Sequence, residues 1–149
     1  MNRYFDIALN LASDRFSGER DKVIADALIH NVNYFNIVCS SLNELDFVKD
    51  LNDRYKQNSC FTLGVHPHNA NELNEDSLKS LKDSIKMHQP SAVGETGLDF
   101  FRNLSTFENQ LNAFEQQIIL SIENNLPLFL HQREAHDDFI KVIDKYISD

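Results

Sequence analysis

The sequence predicts an α/β protein built on a parallel sheet, and three observations carry that expectation. Short apolar runs recur along the chain, each followed by a segment with apolar residues at helical spacing. The runs are nearly continuous rather than alternating, as in strands covered on both faces. Polar residues with chemistry to offer gather just after the runs, where parallel α/β folds bind their ligands.

The first strand is YFDIAL (4–9), followed by a helix from about Gly18 to Asn31 with Val23, Ile24, Ala27 and Leu28 inward. YFNIVC (34–39) is the second strand. Ser41 and Glu44 then read as a capping box opening a helix that buries Leu42, Leu45, Val48 and Leu51. CFTLGV (60–65) is the third, and its helix, near 75–88, is stopped by Pro90. SAVGE (91–95) is the fourth. Ser105 and Glu108 form a second capping box at the head of a long helix carrying Phe107, Leu111, Phe114, Ile118 and Ile122. LPLFLH (126–131) is the fifth strand, and a helix over about 134–147 closes the chain. No linker or composition shift divides residues 1–149, so one domain is expected.

Composition narrows the class. With 149 residues, 42% hydrophobic and 25% charged, the chain reads as an ordinary globular domain. MNRYFDIALN turns polar too quickly for a signal peptide, and no apolar run approaches the ~20 residues of a bilayer span. Cys39 and Cys60 show no metal-binding spacing and read as buried free thiols, so a cytoplasmic protein without membrane contact is expected. A net charge of −9 argues against a broad electrostatic grip on nucleic acid. It leaves room for a local phosphate contact carried by a metal ion.

Two architectures compete. A closed (β/α)8 barrel needs about 250 residues, so length favours an open doubly wound sheet. GETGLD (94–99) matches neither GxGxxG nor a Walker loop, and the polar strand ends favour the barrel. Asp6 and Asn10 lie in and after the first strand, His66 and His68 after the third, Glu95 and Asp99 at the fourth, His131 and Arg133 at the fifth.

Each group has a structural alternative: Glu95 as a loop acid bonded to amides, His66 as a helix cap, His131 as a satisfied lone histidine. Arg133 would pair with buried acids. His30, His88 and His136 lie on helices and are assigned no role. Together, a carboxylate and imidazoles suit Mg²⁺, Mn²⁺ or Zn²⁺. Gly94 and Gly97 would keep bulk away from the ion and its substrate. Such an ion acts as a Lewis acid and lowers the pKa of a bound water.

Four segments, FDIALNLAS, GVHPH, VGETGLDFFRN and LPLFLHQREAHDDF, resemble the TatD family of metal-dependent hydrolases in order and spacing. The resemblance implies an amidohydrolase-type (β/α)8 barrel of which only about the first five βα units are present. It implies Mg²⁺- or Mn²⁺-dependent deoxyribonuclease activity, with DNA as substrate. By that likeness Glu95 and His131 are metal ligands and His66 and His68 contact substrate phosphate. Asp99, Arg133, Asp6 and Asn10 support the site.

Two departures accompany it. Where the family commonly carries Asp-x-His-x-His, this chain has Asp6, Ala8 and Asn10. The family's later ligands, a histidine after the sixth strand and an aspartate near the eighth, would lie beyond Asp149. A fragment of a longer enzyme is therefore expected, its open edge covered by the missing segment or by a partner. The alternatives are a catalytically inactive half barrel serving as an association module, and a metal-dependent hydrolase of small esters or amides.

Overall fold

Every strand pairs in parallel with the next one along the chain, in the order β1-β2-β3-β4-β5. The computed structural model describes residues 3–147. The strands are β1 (Tyr4–Leu9), β2 (Val32–Ile37), β3 (Ser59–Leu63), β4 (Ala92–Asp99) and β5 (Leu128–Arg133). The helices are α1 (Arg20–Ile29), α2 (Leu45–Arg54), α3 (Glu75–His88), α4 (Phe107–Asn124) and α5 (His136–Asp144). A doubly wound sheet reverses its strand order at a switch point, whereas a barrel runs in sequence. The order therefore decides for the barrel type, and the five strands form a curled half barrel.

The helix-facing side of the sheet forms the core. Phe35, Ile37, Leu63 and Val93 from the strands meet Ile24, Val48, Leu51 and Leu81 from the helices, all buried. A second cluster joins Leu98 of β4 to Phe114 and Ile118 of α4 and Phe139 of α5.

Several local expectations are corrected. Ser41 makes no capping bond, and the Glu44 carboxylate accepts from the Ser40 N–H instead, at 2.7 Å. The cap of α4 is Thr106, not Ser105. Ser105 is buried and donates to the His68 carbonyl at 2.9 Å. The inner face of α4 is also rotated from the apolar stripe: Ile122 is 60% exposed and Phe107 42%, while Gln110 and Gln117 are buried. In α1 only Ile24 is buried. Cys39 is buried, but Cys60 is only partly buried; both are free thiols.

β4 continues past Glu95, because the glycines that resemble a loop are ladder residues. Gly97 sits opposite His131 and Asp99 opposite Arg133. Gly94 and Gly97 hold φ of +140° and +142°. A Cβ at Gly94 would overlap the Phe129 carbonyl oxygen, and one at Gly97 the His131 carbonyl oxygen. Their absent side chains admit β5, rather than clearing space for an ion.

Candidate metal centre

Three strand ends deliver the site. β3 leads through Gly64 and Val65 to His66, which enters a 3-10 turn over Pro67–Glu72. β4 carries Glu95 and Asp99, and β5 carries His131. The turn fixes the first imidazole: the His68 N–H donates to His66 Nδ1 at 3.1 Å. The helix-cap reading of His66 is therefore correct, and the same ring also belongs to the site.

His131 stands at the centre. Its Nδ1 lies 3.1 Å from Glu95 Oε1 and its Nε2 lies 3.2 Å from Asp99 Oδ2. His66 Nε2 is 3.3 Å from His131 Nδ1 and 3.8 Å from Glu95 Oε1. His68 Nε2 meets the same Asp99 oxygen at 2.7 Å. Asp99 is 1% exposed, and its other oxygen accepts from the Arg102 N–H at 2.8 Å.

The protonation pattern follows from these contacts. Hydrogen bonding to Glu95 holds the His131 pKa above its usual value, against the opposing effect of burial. Burial pushes His66 down to about 4, although Glu95 pulls the other way. Burial raises Asp99, but the Arg102 N–H and His68 outweigh it and bring it to about 2. Burial likewise opposes ionisation of Glu95, but the bond to His131, with the electrostatic effect of the surrounding imidazoles, wins, so its pKa is lowered.

His66 accepts at Nδ1, so its neutral ring carries a proton on Nε2 that points at the Glu95–His131 gap. With His131 donating from Nε2 to Asp99, its Nδ1 lone pair faces the Glu95 carboxylate. In the imidazolium that the raised pKa favours, Nδ1 donates to Glu95 across the same 3.1 Å; in the neutral ring the facing lone pairs call for a positive charge beside them, which the His66 Nε2–H or a divalent ion would supply. The donor set fits a divalent ion on this ground. One nitrogen or oxygen from each of His66, Glu95 and His131 lies within 4.8 Å of the others, and with His66 protonated on Nε2 the lone pairs toward the gap belong to Glu95 and His131.

Five of the eight sequence-predicted site residues thus touch one another: His66, His68, Glu95, Asp99 and His131. Asn10 lines the adjoining cleft, of ≈ 330 Å³, with Ser13, Ser40, Glu44 and Asn69. Asp6 turns onto its own strand, its carboxylate accepting from the Ala8 N–H at 3.0 Å. Arg133 pairs with no acid among the described residues, and its guanidinium stacks on Phe101, Cζ 3.8 Å from the ring centroid.

Sequence reasoning missed Glu44 as a cleft residue, having spent it on a helix cap. It also missed two buried glutamines. Gln117 accepts from the Val65 N–H at 2.7 Å and donates to the Val65 carbonyl at 3.0 Å. Gln110 accepts from the Asp99 N–H at 2.8 Å and donates to the Ser105 carbonyl at 3.0 Å. α4 thereby holds the backbone beside His66 and at Asp99. The visible signal is two amides seven residues apart, in line with the apolar residues Phe114 and Ile118 of the helix.

The family model for TatD-related DNases matches residues 5–149. The chain belongs to the TatD-related DNase family. Two relatives are each named as a 3'-5' ssDNA/RNA exonuclease TatD. That of Pantoea ananatis is 38% identical over 143 residues, 96% of this chain and 55% of that protein. That of Cronobacter sakazakii is 40% identical over 145 residues, 97% of this chain and 54% of that protein. A crystal structure of an uncharacterized amidohydrolase from Saccharomyces cerevisiae superposes with a TM-score of 0.87 at 27% identity, over 99% of this chain and 53% of that one. The chain spans about half the length of the curated relatives it matches. Among the described residues, no helix is long and apolar enough to cross a membrane.

Proposed function

We propose that residues 1–149 form the N-terminal part of a TatD-type barrel whose activity is metal-dependent hydrolysis of phosphodiester bonds, with DNA as substrate. The observation that carries this reading is the apposition of Glu95 Oε1 and His131 Nδ1 at 3.1 Å, with Asp99 behind the ring. Glu95 and His131 would hold the ion, Mg²⁺ or Mn²⁺ being the candidates. A bound divalent ion supplies Lewis acidity to a phosphoryl oxygen and a more acidic water.

The chain's own residues do the rest. Asp99 fixes His131 in the tautomer whose Nδ1 lone pair faces the centre. His66 stays neutral near pH 7, because burial holds its pKa at about 4, and offers its Nε2–H to a phosphoryl oxygen that gains charge. His68 is held by Asp99 at the same mouth and lines the cleft beside Glu95. Ala8 and Asn10 replace the family's paired histidines, so the Glu95–His131 position is the one this half of the barrel supplies.

The test is Glu95→Ala in the complete barrel, assayed on a single-stranded oligonucleotide with Mg²⁺ or Mn²⁺. Turnover should fall by more than about 100-fold, beyond the loss seen when only an outer partner of a ligand is removed. Turnover within threefold of the parent would refute the assignment.

A further inference from the structure

Three large apolar side chains are exposed after β4, two on its loop and one at the start of α4: Phe101 is 53% exposed, Leu104 59% and Phe107 42%. Phe107 has a partner in Phe100, ring centroids 5.1 Å apart. Phe101 has the Arg133 guanidinium over its ring, and Arg133 is itself exposed. The guanidinium carbon lies 3.8 Å from that ring's centroid, and both side chains remain exposed to solvent.

This pair stands close to the centre and is held firmly. Arg133 lies two residues beyond His131 on β5, about 6.6 Å along the strand, and Phe101 two residues beyond Asp99, in the turn that follows β4. The two strand ends are joined by the Phe100 N–H, which donates to the Arg133 carbonyl at 3.0 Å. The loop is pinned by the Arg102 N–H on Asp99 and by the Thr106 N–H on Asn71 Oδ1, at 3.0 Å. An exposed aromatic on an anchored loop is a preformed surface rather than a disordered one. In a chain of net charge −9, Arg102 and Arg133 also place two cations at this rim.

Flat cation–aromatic pairs of this kind stack unpaired bases, which every nucleotide offers regardless of sequence. We infer that Phe101 and Arg133 form a stacking subsite for one unpaired nucleobase of a single-stranded nucleic acid, beside the phosphate held at the Glu95–His131 centre. The inference rests on the nuclease reading and adds to it the two side chains that would hold a base beside the phosphate.

The experiment uses the full metal-loaded chain, with Phe101→Ala, Phe101→Leu and Phe101→Tyr beside the parent. The substrates are a single-stranded oligonucleotide and the same strand carrying abasic tetrahydrofuran residues at its terminal positions. KM, kcat and binding by fluorescence anisotropy are read for each. Removing the ring should raise KM and weaken binding of the base-containing strand by about 5- to 150-fold, the equivalent of one lost stack. The kcat should change little, and Phe101→Tyr should restore the parental KM. On the abasic strand the parent and both aliphatic variants should coincide. Aliphatic variants that keep the parental KM in an active enzyme would overturn the subsite and leave the nuclease reading intact. A parent that neither binds nor cleaves either strand would remove both.

Discussion

Gln117→Leu isolates what α4 contributes to the site. Gln117 is fully buried, and its amide is the recorded partner of both the N–H and the C=O of Val65, which lies beyond the end of β3. Leucine has similar bulk and no polar atom, so the Val65 amide and carbonyl would be left without partners in a dry interior. Each orphaned group costs about 1–3 kcal/mol, or about 2–6 kcal/mol together. The added apolar surface returns about 1.5–3 kcal/mol if fully buried, leaving a net loss of about 2 kcal/mol. Urea denaturation of the full chain measures this directly, provided the m-value is unchanged. Gln117→Glu keeps the acceptor for the Val65 N–H but sets a carboxylate oxygen against the Val65 carbonyl, and should destabilise as well. A leucine variant within about 0.5 kcal/mol of the parent would show that Val65 finds other partners and that the clamp is dispensable.

Two further outcomes follow from the same geometry. Gly97→Ala puts a methyl group into the His131 carbonyl at a φ of +142°; it should lower stability by about 2 kcal/mol or more, and a parental Tm in thermal melts would refute the close-approach role. In chelator-treated protein, acid should act in two windows. His66 has its folded pKa lowered from 6.5 to about 4, so the unfolded chain binds the extra proton and stability is lost as pH falls from about 6.5 to 4. Asp99, lowered from 3.8 to about 2, contributes stability above about pH 3.8 that disappears as pH falls towards 2. Denaturation midpoints against pH, with His66→Asn abolishing the upper window, check the assignment; an unchanged profile in that variant would contradict it.

The fold was legible because its main signals are local. Five apolar runs and Pro90 mark the βα units, and the polar residues His66, Glu95 and His131, in or just after those runs, mark the edge that carries the candidate site whichever way the sheet closes. What escaped depends on partners distant in sequence. The inner face of α4 was misread because periodicity counts a glutamine as polar, while Gln117 is satisfied by a backbone 52 residues away. Ser105 fits a cap by spacing alone, yet its hydroxyl goes to His68. The glycines of β4 were assigned to an ion's surroundings, and only the register against β5 shows that they admit its carbonyls. Arg133 was expected among acids; its placement over Phe101 depends on where a loop folds back, which no local pattern encodes.

The two clamping glutamines make α4 a gauge bar. Positions 110 and 117 are two turns apart, about 10.5 Å along the axis and nearly in line around it. That interval sets how far the backbone leading to His66 can sit from the backbone of Asp99. Inserting or deleting one residue between them would swing one amide by about 100°, away from its strand, while leaving every site side chain chemically intact. The same shift would turn Phe114 or Ile118 out of the second core cluster, so the length of this stretch is fixed by the core and by the site together.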